Sequence, residues 1–121
     1  MSVNKKLLII DDEENLTKSL KVSFKVRGFE VVTATNSADG LKLVEEFNPD
    51  ILLLDLHLSE GKTGIDVLRE SKAAKPDLKV VILTGFGEEE GIEDECFRLG
   101  AVKFLSKTFT ITKLIEEIGS V

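Results

Sequence analysis

Five short, mostly apolar runs divide the chain: LLII at 7–10, VVTA at 31–34, ILLL at 51–54, VVIL at 80–83 and VKFL at 102–105. The first, third and fourth contain no polar residue, which is the pattern of a strand covered on both faces. Between the runs, apolar residues recur every three or four positions: Leu16, Leu20 and Phe24; Ala38, Leu41 and Val44; Ile65 and Leu68; Ile92, Cys96 and Leu99; Ile111, Leu114, Ile115 and Ile118. Each set lines one side of a helix. Turn chemistry falls at the joints. Gly28 and Gly100 stand where helices would stop in a left-handed conformation, Ser37 reads as an N-cap, and Asn48-Pro49-Asp50 and Lys75-Pro76-Asp77 read as loops leading into strands. The last helix is short, about nine residues before Gly119. Strict alternation of strand and helix predicts right-handed crossovers and a parallel sheet with helices on both faces, an α/β doubly wound single domain over residues 1–121.

Composition narrows the class. A chain of 121 residues can bury one core, and it carries no linker, repeat or low-complexity segment. At 42% hydrophobic and 31% charged residues it is not a disordered acidic tail, and no apolar run approaches the roughly 20 residues a bilayer requires. Sixteen basic against 22 acidic residues leave a net charge of −6, which repels nucleic-acid phosphates. A cation or a basic partner surface is expected instead, with no direct nucleic-acid contact and no membrane. Cys96 is the single cysteine and cannot form an internal disulfide, and no leader pattern precedes residue 7, so a cytoplasmic setting is expected.

In a parallel sheet all carboxyl ends of the strands share one edge, and ligands of open α/β folds bind outside it. The residues that follow the strands are Asp11-Asp12, Thr35-Asn36, Asp55, Thr84-Gly85 and Ser106-Lys107. Three carboxylates, a hydroxyl and an ammonium can thus converge from positions up to 96 apart. Clustered carboxylates suit a hard divalent cation such as Mg²⁺, which would offset the repulsion within Asp11-Asp12-Glu13-Glu14. Taken singly each residue has a plainer role. Asp11 or Asp12 could cap the first helix, Glu13 and Glu14 could stabilise its positive end, Asp55 and Thr84-Gly85 could make turns, and Lys107 could be a solvated charge. Those separate roles do not explain why Asp, Asp, Thr and Lys follow four strands of one sheet. Gly61-Lys62-Thr63 matches only the tail of a P-loop, because Leu56 stands where the first glycine belongs. Gly85-Phe86-Gly87 begins a GxGxxG pattern that Glu90 breaks. His57, the only histidine, would need an orienting partner that the sequence does not name before it could act as an acid–base group, and Cys96 reads as a small hydrophobe.

LLIIDDEEN, DILLLDLHL, VVILTGFG and GAVKFLSK together resemble the four signature blocks of the response-regulator receiver domain of two-component signalling. Separations of 43 residues from Asp12 to Asp55, 29 to Thr84 and 23 to Lys107 are similar to the family's. The resemblance implies a flavodoxin-like (βα)5 fold with strand order 2-1-3-4-5. It also implies Asp55 as phosphoacceptor, charged by a histidine kinase or phosphotransfer protein, with Mg²⁺ as cofactor. Asp12 and Asp55 would be direct metal ligands, Asp11 a ligand through water, and the His57 backbone carbonyl a further ligand. Thr84, Gly85 and Lys107 would bind phosphoryl oxygens, and Thr84 and Phe104 would form the switch to a downstream effector or output domain. His57 and Phe86 would flank the water that hydrolyses the acyl phosphate, and their lack of a water-orienting acid or amide predicts slow self-dephosphorylation.

Three departures stand out. Thr108 replaces the proline usual after Lys107, Ser59 replaces a usual proline, and Gly64 falls one position late, which predicts a longer loop beside Asp55. The resemblance makes the chain a signalling phosphoacceptor that assists only its own phosphorylation and dephosphorylation. It would be a monomer or a weak phosphorylation-dependent dimer, and a stand-alone regulator more than a piece of a longer protein. Two other classes stay open: an aspartyl-nucleophile phosphohydrolase, which would want an acid where His57 stands, and a receiver-like interaction module that is never phosphorylated.

Overall fold

The computed structural model of the chain describes residues 5–85 and 90–121. In chain order the elements are β1 (Lys6–Ile10), α1 (Glu14–Val26), β2 (Glu30–Ala34), α2 (Ser37–Phe47), β3 (Ile51–Asp55), α3 (Gly64–Ala74), β4 (Lys79–Thr84), α4 (Ile92–Arg98), β5 (Ala101–Ser106) and α5 (Ile111–Gly119). The strands form one sheet in the order β2-β1-β3-β4-β5, and every neighbouring pair is parallel. Both the alternation and the implied strand order are therefore present.

The period of two in each strand divides the core between the two faces of the sheet. Leu8, Ile10, Leu52, Leu54, Val80 and Ile82 pack with Val44 of α2, Val67 and Leu68 of α3 and Cys96 of α4. Leu7, Ile9, Ile51, Leu53, Val81 and Leu83 pack with Leu20 and Phe24 of α1 and Leu114 and Ile118 of α5. Each fully buried side chain of this size contributes about 1.5–3 kcal/mol of transfer free energy, so the three central strands carry most of the driving force. Pairing of β4 with β5 shifts register between Val80 and Val81, and the extra residue, Val102, is left 40% exposed.

Helix ends follow the expected chemistry with one correction. Gly28 and Gly100 lie just past α1 and α4 at φ +95° and +108°, a region that costs glycine nothing. Ser37 does not cap α2. Asn36 does, its side-chain oxygen accepting from the Asp39 N–H at 2.8 Å, because Asn36 is the last extended residue and Ser37 already lies within the first turn. Thr63 and Asp66 form a reciprocal capping box on α3, so the P-loop-like tail serves as a helix start. Among the described residues there is no cis peptide bond, and the Lys107–Thr108 bond is trans. No helix among them is long and apolar enough to cross a membrane.

Candidate functional site

The carboxyl ends of β1 and β3 carry the site because each buried strand stops on an acid. Asp11 and Asp55 are almost as buried as the leucines before them, at 2% and 3% exposure. Burying carboxylates without partners is costly, and both find backbone donors at once. The Asp11 Oδ1 accepts from the Glu13 N–H at 2.9 Å, and the Asp55 Oδ1 accepts from the His57 N–H at 3.0 Å. These are Asx-type turns, in which a short acid satisfies the amide two residues on. Asp12 is half-buried beside them, and one oxygen from each of Asp11, Asp12 and Asp55 lies within 4.8 Å of the others.

Lys107 enters this cluster from the end of β5. Its N–H donates to the Thr84 carbonyl at 2.8 Å, continuing the strand pairing past Ser106 and setting the lysine next to Asp55. The ammonium lies 2.6 Å from Glu13 Oε1, 2.9 Å from Asp11 Oδ2 and 3.3 Å from Asp55 Oδ2. Burial alone would lower its pKa, but hydrogen bonds to Glu13 and Asp11 and the fields of Asp11 and Asp55 together hold it raised. Asp55 moves the other way from an ordinary paired acid. Burial raises it from 3.8 to about 6; the His57 amide opposes that rise, the Asp11 charge adds to it, and Lys107 lowers it only in part. Three acids share one cation and Asp12 stands beside them, so the site retains an excess of negative charge. All its donors are oxygens, the set that suits Mg²⁺ or Ca²⁺, and the convergence of three carboxylates fits such an ion.

Behind Asp55 the backbone is tightly packed. The Gly64 N–H donates to the Leu56 carbonyl at 3.1 Å. A Cβ on Gly64 would lie 2.4 Å from Leu56 Cα and 2.6 Å from the Asp55 carbonyl oxygen, so only glycine can start α3 there. The glycine that falls one position late thus still meets the strand end directly.

The fold brings together Asp11, Asp12, Asp55 and Lys107. Thr84 is buried at the end of β4, opposite Ser106 in register and one position beyond the residue that faces Asp55, and Gly85 follows it directly. Phe104 is half-buried against the core on the α2–α3–α4 face. His57 has an exposed side chain, and Phe86 lies outside the described residues. Thr35 is exposed and Asn36 is occupied as the α2 cap, so neither joins the acids. Glu13 joins the site beyond the helix-end role that the sequence suggests for it. It is the N-cap of α1 but makes no side-chain cap, and its carboxylate takes the shortest contact with Lys107. A third consecutive acid after β1 was the visible signal.

Comparison with known proteins agrees with this geometry. The family model described as the response regulator receiver domain matches residues 7–119. The chain is 31% identical over 116 residues to sporulation initiation phosphotransferase F of Bacillus subtilis, covering 96% of this chain and 92% of that protein. It is 32% identical over 114 residues to the regulatory protein AtoC of Escherichia coli, covering 94% of this chain but 24% of that one. A CheY-like receiver domain structure from Methanospirillum hungatei superposes with a TM-score of 0.91 at 25% identity, over 98% of this chain and 93% of that one.

Proposed function

The chain belongs to the response regulator receiver domain family of two-component signalling, and from that membership we propose that Asp55 accepts a phosphoryl group from a histidine kinase or phosphotransfer protein. The observation that supports this reading is the convergence of the Asp11 and Asp12 carboxylates and the half-buried Lys107 on the Asp55 side chain. In the transfer the phosphorus–nitrogen bond of a phosphohistidine breaks as a bond from an Asp55 oxygen to phosphorus forms, and the imidazole leaves with its electron pair. Asp55 must be ionised to attack, and with a pKa of about 6 it is mostly so at neutral pH. The His57 amide holds one of its oxygens and so orients the carboxylate. Lys107 is close enough to leave Glu13 and meet the charge that builds on the phosphoryl oxygens, while the Thr84 hydroxyl and the Gly85 amide donate hydrogen bonds to them. Asp12, Asp55 and the His57 carbonyl, with Asp11 through water, would hold a Mg²⁺, which would supply the further positive charge that the excess of carboxylates calls for.

Movement of Thr84 toward the phosphoryl group would free space for half-buried Phe104, coupling Asp55 to the α4–β5–α5 face and a downstream effector or output domain. The exposed His57 shields the acyl phosphate more than it orients water, and with Phe86 it makes self-dephosphorylation slow. The chain then acts in the cytoplasm as a switch, assisting only its own phosphorylation and dephosphorylation. Mass spectrometry after acetyl phosphate treatment in Mg²⁺ tests this: the parent gains one phosphoryl group, Asp55→Asn gains none, and Asp12→Ala loses the dependence on Mg²⁺. A parent with no mass gain overturns the reading.

A further inference from the structure

Ser37 opens α2, an element that supplies none of the acids, yet its side chain is buried against the loop that leaves Asp55. The Lys62 N–H donates to the Ser37 hydroxyl oxygen at 2.9 Å, and that hydroxyl reaches the Glu60 carbonyl at the long distance of 3.5 Å. Gly61 lies between them at φ +77°, and a Cβ there would come within 2.6 Å of the same oxygen. The middle of the loop is therefore pressed onto one serine. Its ends are fastened separately, by the His57 N–H on Asp55 and by the Gly64 N–H on Leu56. From Leu58 to Lys62 the sequence is LSEGK, without a proline and with a glycine, so the backbone is free to wander at about 1–2 kcal/mol of entropy per residue unless something holds it.

We infer that Ser37 is a positioning residue for the metal site. Its hydroxyl sets the path of residues 58–62, and together with the His57 N–H on Asp55 at the start of that path it limits how far the backbone at His57, whose carbonyl would face the cation, can stray. The inference rests on the receiver reading, because it takes that carbonyl as a cation donor. Affinity for an ion falls in proportion to the fraction of molecules whose donors are in place. Removing the hydroxyl lowers that fraction without touching a ligand.

The experiment compares the parent, Ser37→Ala and Ser37→Thr in two measurements on the full chain: amide hydrogen exchange at Lys62, and titration with Mg²⁺ alone followed by the amide shifts of residues 55–57. Ser37→Ala is expected to speed exchange at Lys62 and to weaken Mg²⁺ binding roughly three- to tenfold. Exchange in the sheet, at Leu53 and Ile82, stays unchanged, and Ser37→Thr, which keeps the hydroxyl, recovers both properties. Unchanged Mg²⁺ affinity in Ser37→Ala overturns the inference alone. So does faster exchange throughout the sheet, which would make the serine a stabiliser of the fold and nothing more specific. A parent that binds no Mg²⁺ overturns the receiver reading and with it the part assigned to His57, while exchange at Lys62 still reports whether the serine ties the loop.

Discussion

Lys103 within β5 and Lys107 just past its end stand four positions apart and meet acids in opposite ways. Lys103 lies 2.6 Å from Glu117 of α5 and 2.7 Å from the Ser120 hydroxyl, on a partly exposed surface. Lys113 also approaches Glu117 at 3.6 Å and Glu116 at 4.0 Å, so two cations face two acids, and the Lys103 hydrogen bond holds the Glu117 carboxyl below its usual value. Lys107 instead faces Asp11, Glu13 and Asp55 together, and here burial holds Asp55 well above its usual value. Ion pairs that match in number satisfy the fold, whereas a surplus of buried charge of one sign is tolerated only where a ligand completes it. The number of partners, more than the distance to any one of them, separates the two lysines.

The largest effect that would sharpen this contrast comes from Lys107→Met. It leaves Asp11 and Asp55 buried without their cation, and a loss of about 3–5 kcal/mol of unfolding free energy is expected in metal-free urea titrations. Added Mg²⁺ recovers part of it. Equal stability with and without the lysine would erase the difference between the two sites.

A smaller effect of opposite sign is expected from Asp55→Asn, which removes a carboxylate but can keep an acceptor for the His57 amide. Because the folded protein holds Asp55 at about 6 against 3.8 for an unperturbed acid, the folded state binds the proton more tightly than the unfolded one. The parent should therefore lose stability as pH rises from about 4 to about 6 and stay at that reduced level above, where ionised Asp55 costs up to about 3 kcal/mol. Asp55→Asn lacks that slope and is more stable than the parent at pH 7. Glu117 runs the other way: its lowered pKa gives stability that is present above the ordinary carboxylate range and lost as pH falls through its folded value. Metal-free unfolding curves of parent and variant between pH 4 and pH 8 check both signs, and parallel curves would show that Asp55 is not strained.

The smallest effect belongs to Lys103→Met. Its pair is partly solvated, and exposed pairs contribute little, so the urea midpoint should move least of the three and Mg²⁺ affinity not at all. A change in Mg²⁺ affinity here would break the contrast between Lys103 and Lys107.

Much of this was legible in the residues because it depends on short-range pattern. The unbroken runs at 7–10, 51–54 and 80–83 are the strands buried on both faces, and the three- and four-residue spacing of Leu16, Leu20 and Phe24 or of Leu114 and Ile118 is the buried side of a helix. Asp11, Asp55, Thr84 and Lys107 could be gathered at one edge because a parallel sheet puts every strand's carboxyl end there, whatever the distance along the chain. The loops were less legible. Asn36 and Ser37 are both good capping residues, and which one caps depends on where the backbone turns from extended to helical. Gly64 starts α3 directly against Leu56 and Asp55, a closeness visible only in three dimensions.

By itself, then, the sequence determined the elements, the doubly wound class and the edge on which the chemistry collects, since periodicity and chain direction are local properties that packing then obeys. Tertiary structure alone decided that Glu13 grips Lys107 across 94 positions, that Ser37 holds the loop instead of capping the helix, and that Val102 bulges out of β5. Each of these turns on which of several chemically equivalent groups comes within about 3 Å of a partner, and contacts at that range depend on rotamer and backbone path, which residue type does not encode.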